Sequence, residues 1–164
     1  MALGAAVTLW AYPMDSTGCG MYRMVWPLEA LAEHRGLDVH IAPPGSDEGF
    51  KARLGLRGEV THVHVPEGCT GLLIQRPTSE LLISTLTALK REIDLPLIVD
   101  VDDDMSALNA RHPAFHHLHP RSHARMQGHS AQAVHAACDL ADVVIASTPA
   151  LLERYVRGGG GRGV

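Results

Sequence analysis

Short unbroken apolar runs alternate along this chain with stretches whose apolar residues recur every three or four positions. The first pattern is that of a buried strand and the second that of an amphipathic helix. Ala5 to Tyr12 reads as a strand ending at Pro13, and Asp15 to Gly20 as a loop. Met21 to His34 has helical spacing, with Met24, Leu28 and Leu31 on one side and Gly36 as its stop. Pro27 predicts a kink in that helix or its true first turn. Leu37 to Ala42 is a second strand, closed by Pro43-Pro44-Gly45. Between Ser46 and Gly68 only Thr61 to Val65 alternates as a short strand does. Gly71 to Gln75 is a further strand. Thr78 then caps a helix through Arg91, with Leu82, Leu86 and Leu89 as its apolar stripe. Leu95 to Val101 is a strongly apolar strand that ends in acids, Ala124 to Leu140 a helix, and Asp142 to Ala146 a strand. Thr148 with Pro149 behind it opens another helix, Gly158 to Gly161 stop it, and Arg162 to Val164 begin one more strand.

Apolar strands alternating with helices predict an α/β domain, a parallel sheet covered on both faces. Such sheets hold ligands at the carboxyl ends of their strands, so the loops there carry the candidate chemistry. The 164 residues suit one domain, here 1–157, followed by a glycine-rich tail, 158–164. Fourteen basic against eighteen acidic residues and 4% aromatics leave no basic, aromatic-laced patch, which argues against nucleic acid and anionic membranes as partners. No apolar run approaches the ~20 residues of a membrane span, and the apolar N-terminus lacks the basic start of a signal peptide. Three widely spaced cysteines, Cys19, Cys69 and Cys138, form neither a disulfide framework nor a zinc ribbon, so the expected setting is the reduced cytoplasm.

Four strand-end loops stand out. Asp15-Ser16-Thr17-Gly18-Cys19-Gly20 precedes the first helix, where glycines admit a ligand close to the backbone and the helix start favours an anion; the bland alternative is a tight turn. Gln75-Arg76-Pro77-Thr78 offers an arginine to a phosphate or carboxylate, or simply to solvent. Asp100-Val101-Asp102-Asp103-Asp104 puts four carboxylates at the mouth of an apolar strand, with Asp100 and Asp102 of one parity and so on one face. Clustered carboxylates favour proton uptake by one of their number, the property of a general base, and alternatively ligate a divalent cation. Ser147-Thr148-Pro149 is first a helix cap and second a ligand contact. A histidine-rich stretch follows the acids, His112, His116, His117, His119, His123, His129 and His135. Broken by Pro113 and Pro120 and lacking HExxH, it reads as a mobile loop over the site rather than a zinc centre.

Gly18-Cys19-Gly20-Met21-Tyr22-Arg23, Gly36-Leu37-Asp38-Val39, Gln75-Arg76-Pro77, Val99 to Asp104, Cys138-Asp139 and Ser147 to Leu151 follow one another in this order over nearly the whole chain. Together they resemble the N-terminal, acceptor-side domain of group 1 GT-B glycosyltransferases of phage and bacterial type. The resemblance implies a Rossmann-like fold and transfer of a sugar from a nucleotide-sugar donor to an acceptor hydroxyl, with no required cofactor and no metal. It also implies a missing donor-binding half, carried by a further domain or a partner chain and holding that family's E-x7-E motif, so that the isolated chain is expected to be inactive. Many relatives carry a His-Asp pair where Asp102 and Asp103 stand here. The resemblance therefore assigns Asp102 as base with Asp100 as its catalytic neighbour. It places Gly18, Gly20, Tyr22, Arg23, Arg76, Asp103, Asp104, Ser147 and Thr148 around the substrate.

Three other readings remain open. Asp100-Val101-Asp102 mimics the strand-end DxD of haloacid-dehalogenase-like phosphatases, though it lies past mid-chain and no lysine follows Lys90. A metal-dependent GT-A transferase also uses a DxD, and a Rossmann-like module without catalysis would bind a partner or a small anion.

Overall fold

The computed structural model describes residues 7–44, 46, 48–112, 115, 130–156 and 162–163. Six parallel strands form one sheet in the order β2-β1-β5-β6-β7-β8: β1 (Thr8–Tyr12), β2 (Asp38–Ile41), β5 (Gly71–Gln75), β6 (Leu97–Val101), β7 (Val143–Ala146) and β8 (Arg162–Gly163). Strands β3 (Lys51–Leu54) and β4 (Val60–His64) pair separately as an antiparallel hairpin. The helices are α1 (Gly18–Gly20), a π-helical turn over Met21–Val25, α2 (Trp26–Arg35), α3 (Glu80–Glu92), α4 (Ala131–Leu140) and α5 (Pro149–Tyr155). The sheet is thus the parallel, Rossmann-like α/β sheet that the strand–helix alternation predicts.

Side chains alternate across the sheet, which makes two cores. Leu72, Ile74, Leu97, Val99 and Val101 meet Leu86 and Leu89 of α3, Val134 and Ala137 of α4, and Leu151 and Tyr155 of α5. Leu9, Ala11 and Leu73 point to the other face, against Met24 and Leu28. The chain moves from β1 outward to β2, then returns to the other side of β1 with β5. The sheet's direction of winding therefore reverses between β1 and β5, where the loops beyond their carboxyl ends diverge and leave a crevice.

Several details differ from the sequence pattern. The first helix begins three residues early, at Gly18, so both glycines lie in its opening turn rather than in a loop. Pro27 falls in the first turn of α2, one of the two places expected for it, and because it has no N–H to give the carbonyl of Arg23 the chain widens into a π-helical turn just before it. Leu31 is exposed, off the buried stripe. Ser79, not Thr78, caps α3, its hydroxyl accepting from the Leu82 N–H at 3.3 Å, while Thr78 is buried. Thr148 caps α5 as its sequence predicts, accepting from the Leu151 N–H at 3.2 Å. The Thr61–Val65 strand is β4, but its partner β3 carries no pattern, because Lys51, Arg53 and Leu54 are all exposed. The expected helix over 124–129, the histidines from His116 to His129 and the glycine run lie outside the described residues.

Candidate functional site

The site begins with a glycine that cannot be replaced in place. Asp15 Oδ1 accepts from the N–H groups of Thr17 (3.0 Å) and Gly20 (3.2 Å), serving the open donors at the helix start that Thr17's own side chain leaves unserved. A Cβ on Gly20 would stand 1.9 Å from the Asp15 carbonyl oxygen, so this close return of the loop needs glycine. Gly18 has open space where its Cβ would be.

The helix that starts here turns one row of side chains onto the end of β6. Arg23 makes a two-pronged pair with Asp100, its Nε at 3.0 Å from Oδ2 and its Nη2 on Oδ1. Gln75 Nε2 donates to the same Oδ2 at 3.2 Å, and Gln75 Oε1 accepts from the Met14 N–H at 3.0 Å. Asp100 is only 2% exposed, and its hydrogen bond holds the Arg23 guanidinium still more firmly protonated than usual. One turn earlier on the helix, Cys19 stands beside Asp102. That carboxylate, with burial behind it, pushes the thiol pKa up to about 11. Asp100 and Asp102 therefore do address the same helix, as their shared parity requires.

Arg76 crosses the crevice. Its backbone is left-handed, with φ +43°, a conformation that costs a non-glycine residue free energy and clusters at functional sites. Its guanidinium sits 3.1 Å from Asp15 Oδ2, 3.1 Å from Asp102 Oδ1 and 3.5 Å from Asp103 Oδ2. The contact to Asp102 is one of charge. Both Asp102 oxygens are shut off from solvent, and among the described residues no N–H or O–H group meets either in hydrogen-bonding geometry. Buried acceptors are rarely left so.

The residues singled out by sequence divide accordingly. Gly20, Arg23, Arg76, Asp100, Asp102 and Asp103 meet in this network, with Gly18 exposed at its rim. Ser147 joins through its hydroxyl, which donates to the Asp102 carbonyl at 2.9 Å. Thr148 is occupied as the α5 cap, and Asp104 turns away to Arg154 (2.6 Å) and to the Ser106 N–H and hydroxyl. Tyr22 points outward beside the network, 63% exposed. Asp15, Cys19 and Gln75 are as central as any of these, yet were absent from the expected set. Asp15 had a legible signal, an aspartate five residues ahead of Gly20 where a helix start leaves donors open. Gln75 had none, since an amide at a strand end is common.

Of the named groups, four carboxylates (Asp15, Asp100, Asp102, Asp103) face two guanidiniums (Arg23, Arg76). The acids are braced by cations rather than left to repel one another. Among the described residues no three His, Cys, Asp or Glu side chains are placed to hold a metal ion. Glu59 and Glu67 have E-x7-E spacing, but they flank strand β4 of the hairpin, outside this network.

Fold and site together define the class: a Rossmann-like parallel α/β domain with an acid-rich, arginine-braced cluster where its winding reverses. No protein-family model, curated protein or solved structure matches the chain. Among the described residues no helix is long and apolar enough to cross a membrane.

Proposed function

We propose that this domain is the acceptor-side half of a GT-B glycosyltransferase, with Asp102 as the base that takes the proton of the acceptor hydroxyl. The observation carrying the reading is the Asp102 carboxylate: buried, without a hydrogen-bond donor among the described residues, and set among more carboxylates than guanidiniums. That surplus disfavours a phosphate and suits a ligand that brings hydroxyl donors. A hydroxyl reaches Asp102 by displacing the Arg76 guanidinium, which keeps Asp15 and Asp103 as partners and so is not stranded. Transfer also needs a nucleotide-sugar donor held in line, because much of the rate comes from positioning, and a donor-binding domain or partner chain supplies it. The phosphatase alternative requires Asp100 free to attack, whereas Asp100 is buried and gripped by Arg23.

The experiment is transfer from a panel of labelled nucleotide sugars by the chain with a donor-binding half supplied in cis or in trans. Asp102→Asn is expected to lower turnover ~10²–10⁴-fold at unchanged thermal stability. Near-parental turnover would refute the role of Asp102. Tight stoichiometric binding of a UDP- or GDP-sugar by this chain alone would refute the acceptor-side assignment.

A further inference from the structure

The chain has seven aromatic residues. Trp10, Tyr12, Phe50, Phe115 and Tyr155 are buried or half-buried, but Tyr22 and Trp26 are 63% and 52% exposed. These two rings stand one turn apart on the outer side of the helix whose inner side carries Cys19 and Arg23 into the site. They hold one another edge to face, with centroids 4.9 Å apart and planes at 70°. Met14, also exposed, follows β1 at the crevice mouth, where its N–H is fixed by Gln75. Exposed aromatics lose favourable burial, and these two stand on the helix that also carries Arg23 onto Asp100.

We infer that Tyr22 and Trp26 form a stacking platform for a pyranose ring of the acceptor, so that the acceptor is itself a carbohydrate. This rests on the acceptor-side reading and names its substrate class. A pyranose offers an apolar C–H face to the aromatic rings and hydroxyls at its edge. Asp15, whose carboxylate serves the start of the same helix, and Asp103 are partly exposed and can accept from such hydroxyls. The surplus of carboxylate opposes phosphorylated or carboxylated ligands. Two rings and a methionine fall well short of the ~1,000 Å² in total that a specific protein interface buries, so a protein partner is the poorer fit.

Saturation-transfer NMR on the chain alone tests this, with methyl glycosides of glucose, galactose and mannose and the disaccharides maltose and cellobiose as probes at millimolar concentration. At least one probe is expected to receive saturation at the C–H protons of one ring face. Trp26→Ala and Tyr22→Ala should each weaken binding roughly 5–10-fold, while Trp26→Phe, which keeps a ring, retains most of it. No transfer to any probe, or equal transfer to Trp26→Ala, overturns the inference. Because no donor or turnover enters the measurement, its failure leaves the transferase test standing. Sugar binding without transfer would keep the platform and remove the transferase.

Discussion

Replacing Arg23 by leucine leaves the Asp100 carboxylate buried with Gln75 as its remaining side-chain partner. Removing one member of a buried ion pair costs about 3–5 kcal/mol, mostly as the penalty of the stranded charge. The Arg23 side chain is 23% exposed, so some water follows it out, and the lower end, about 3 kcal/mol, is expected. For a chain of this length that amounts to a fall in Tm of roughly 6–12 °C. The converse change is milder. Asp100→Asn leaves a guanidinium that already reaches solvent, and an asparagine still served by Gln75. The double variant Arg23→Leu/Asp100→Leu removes both charges and should recover much of the Arg23→Leu loss, because buried pairs exchange for apolar residues at little net cost. Urea denaturation of the parent, Arg23→Leu, Asp100→Leu and the double closes the cycle. A cost below about 1 kcal/mol for Arg23→Leu, or a double variant whose loss is the sum of the singles, would refute the stranded-charge argument.

The parallel sheet was legible because its central strands, β5 and β6, are buried on both faces and so read as the continuous apolar runs Leu72-Leu73-Ile74 and Leu97-Ile98-Val99. The hairpin was not, because β3 buries little and its residues obey no period. It exists by pairing with β4, and only β4 meets the core, through Val63. The start of the first helix was misplaced for a related reason. Gly18 and Gly20 signal a turn locally, yet Asp15 supplies the N-terminal hydrogen bonds that a glycine pair lacks. In the site, the strand-end rule gathered Arg76 and the aspartates from distant parts of the sequence. It did not foresee their cations, because the partner of Asp100 lies 77 residues away and that of Asp102 stands at the end of the neighbouring strand. A run of acids shows where charge collects, and the fold decides which of those charges stays available.

Gly20→Ala and Gly18→Ala should part company. The new Cβ at position 20 meets the backbone of Asp15, which cannot rotate aside, and a loss of roughly 2 kcal/mol or more is expected. At position 18 the space is open, and alanine in a helical turn should be neutral or stabilising by up to about 1 kcal/mol. Equal melting temperatures for the two variants would mean that the Asp15 loop does not close as described. The last prediction uses Cys19 to report on Asp102. The Asp102 carboxylate, with burial behind it, lifts the thiol from its ordinary value of 9.0 to about 11, so alkylation by iodoacetamide should lag that of an ordinary thiol until the pH nears 11. Asp102→Ala removes the largest cause, while burial and the Asp103 charge stay behind, so the thiol returns part of the way. At pH 9 the gain in thiolate outweighs the smaller drop in intrinsic nucleophilicity, for a net gain of up to roughly five-fold. Mass spectrometry separates Cys19 from Cys69 and Cys138, whose thiols burial also pushes up and which serve as internal controls. An unchanged Cys19 rate at pH 9 in a folded Asp102→Ala variant would mean that the thiol does not rest on Asp102. The buried, donor-free carboxylate on which the proposed base depends would then lose its neighbour and its best support.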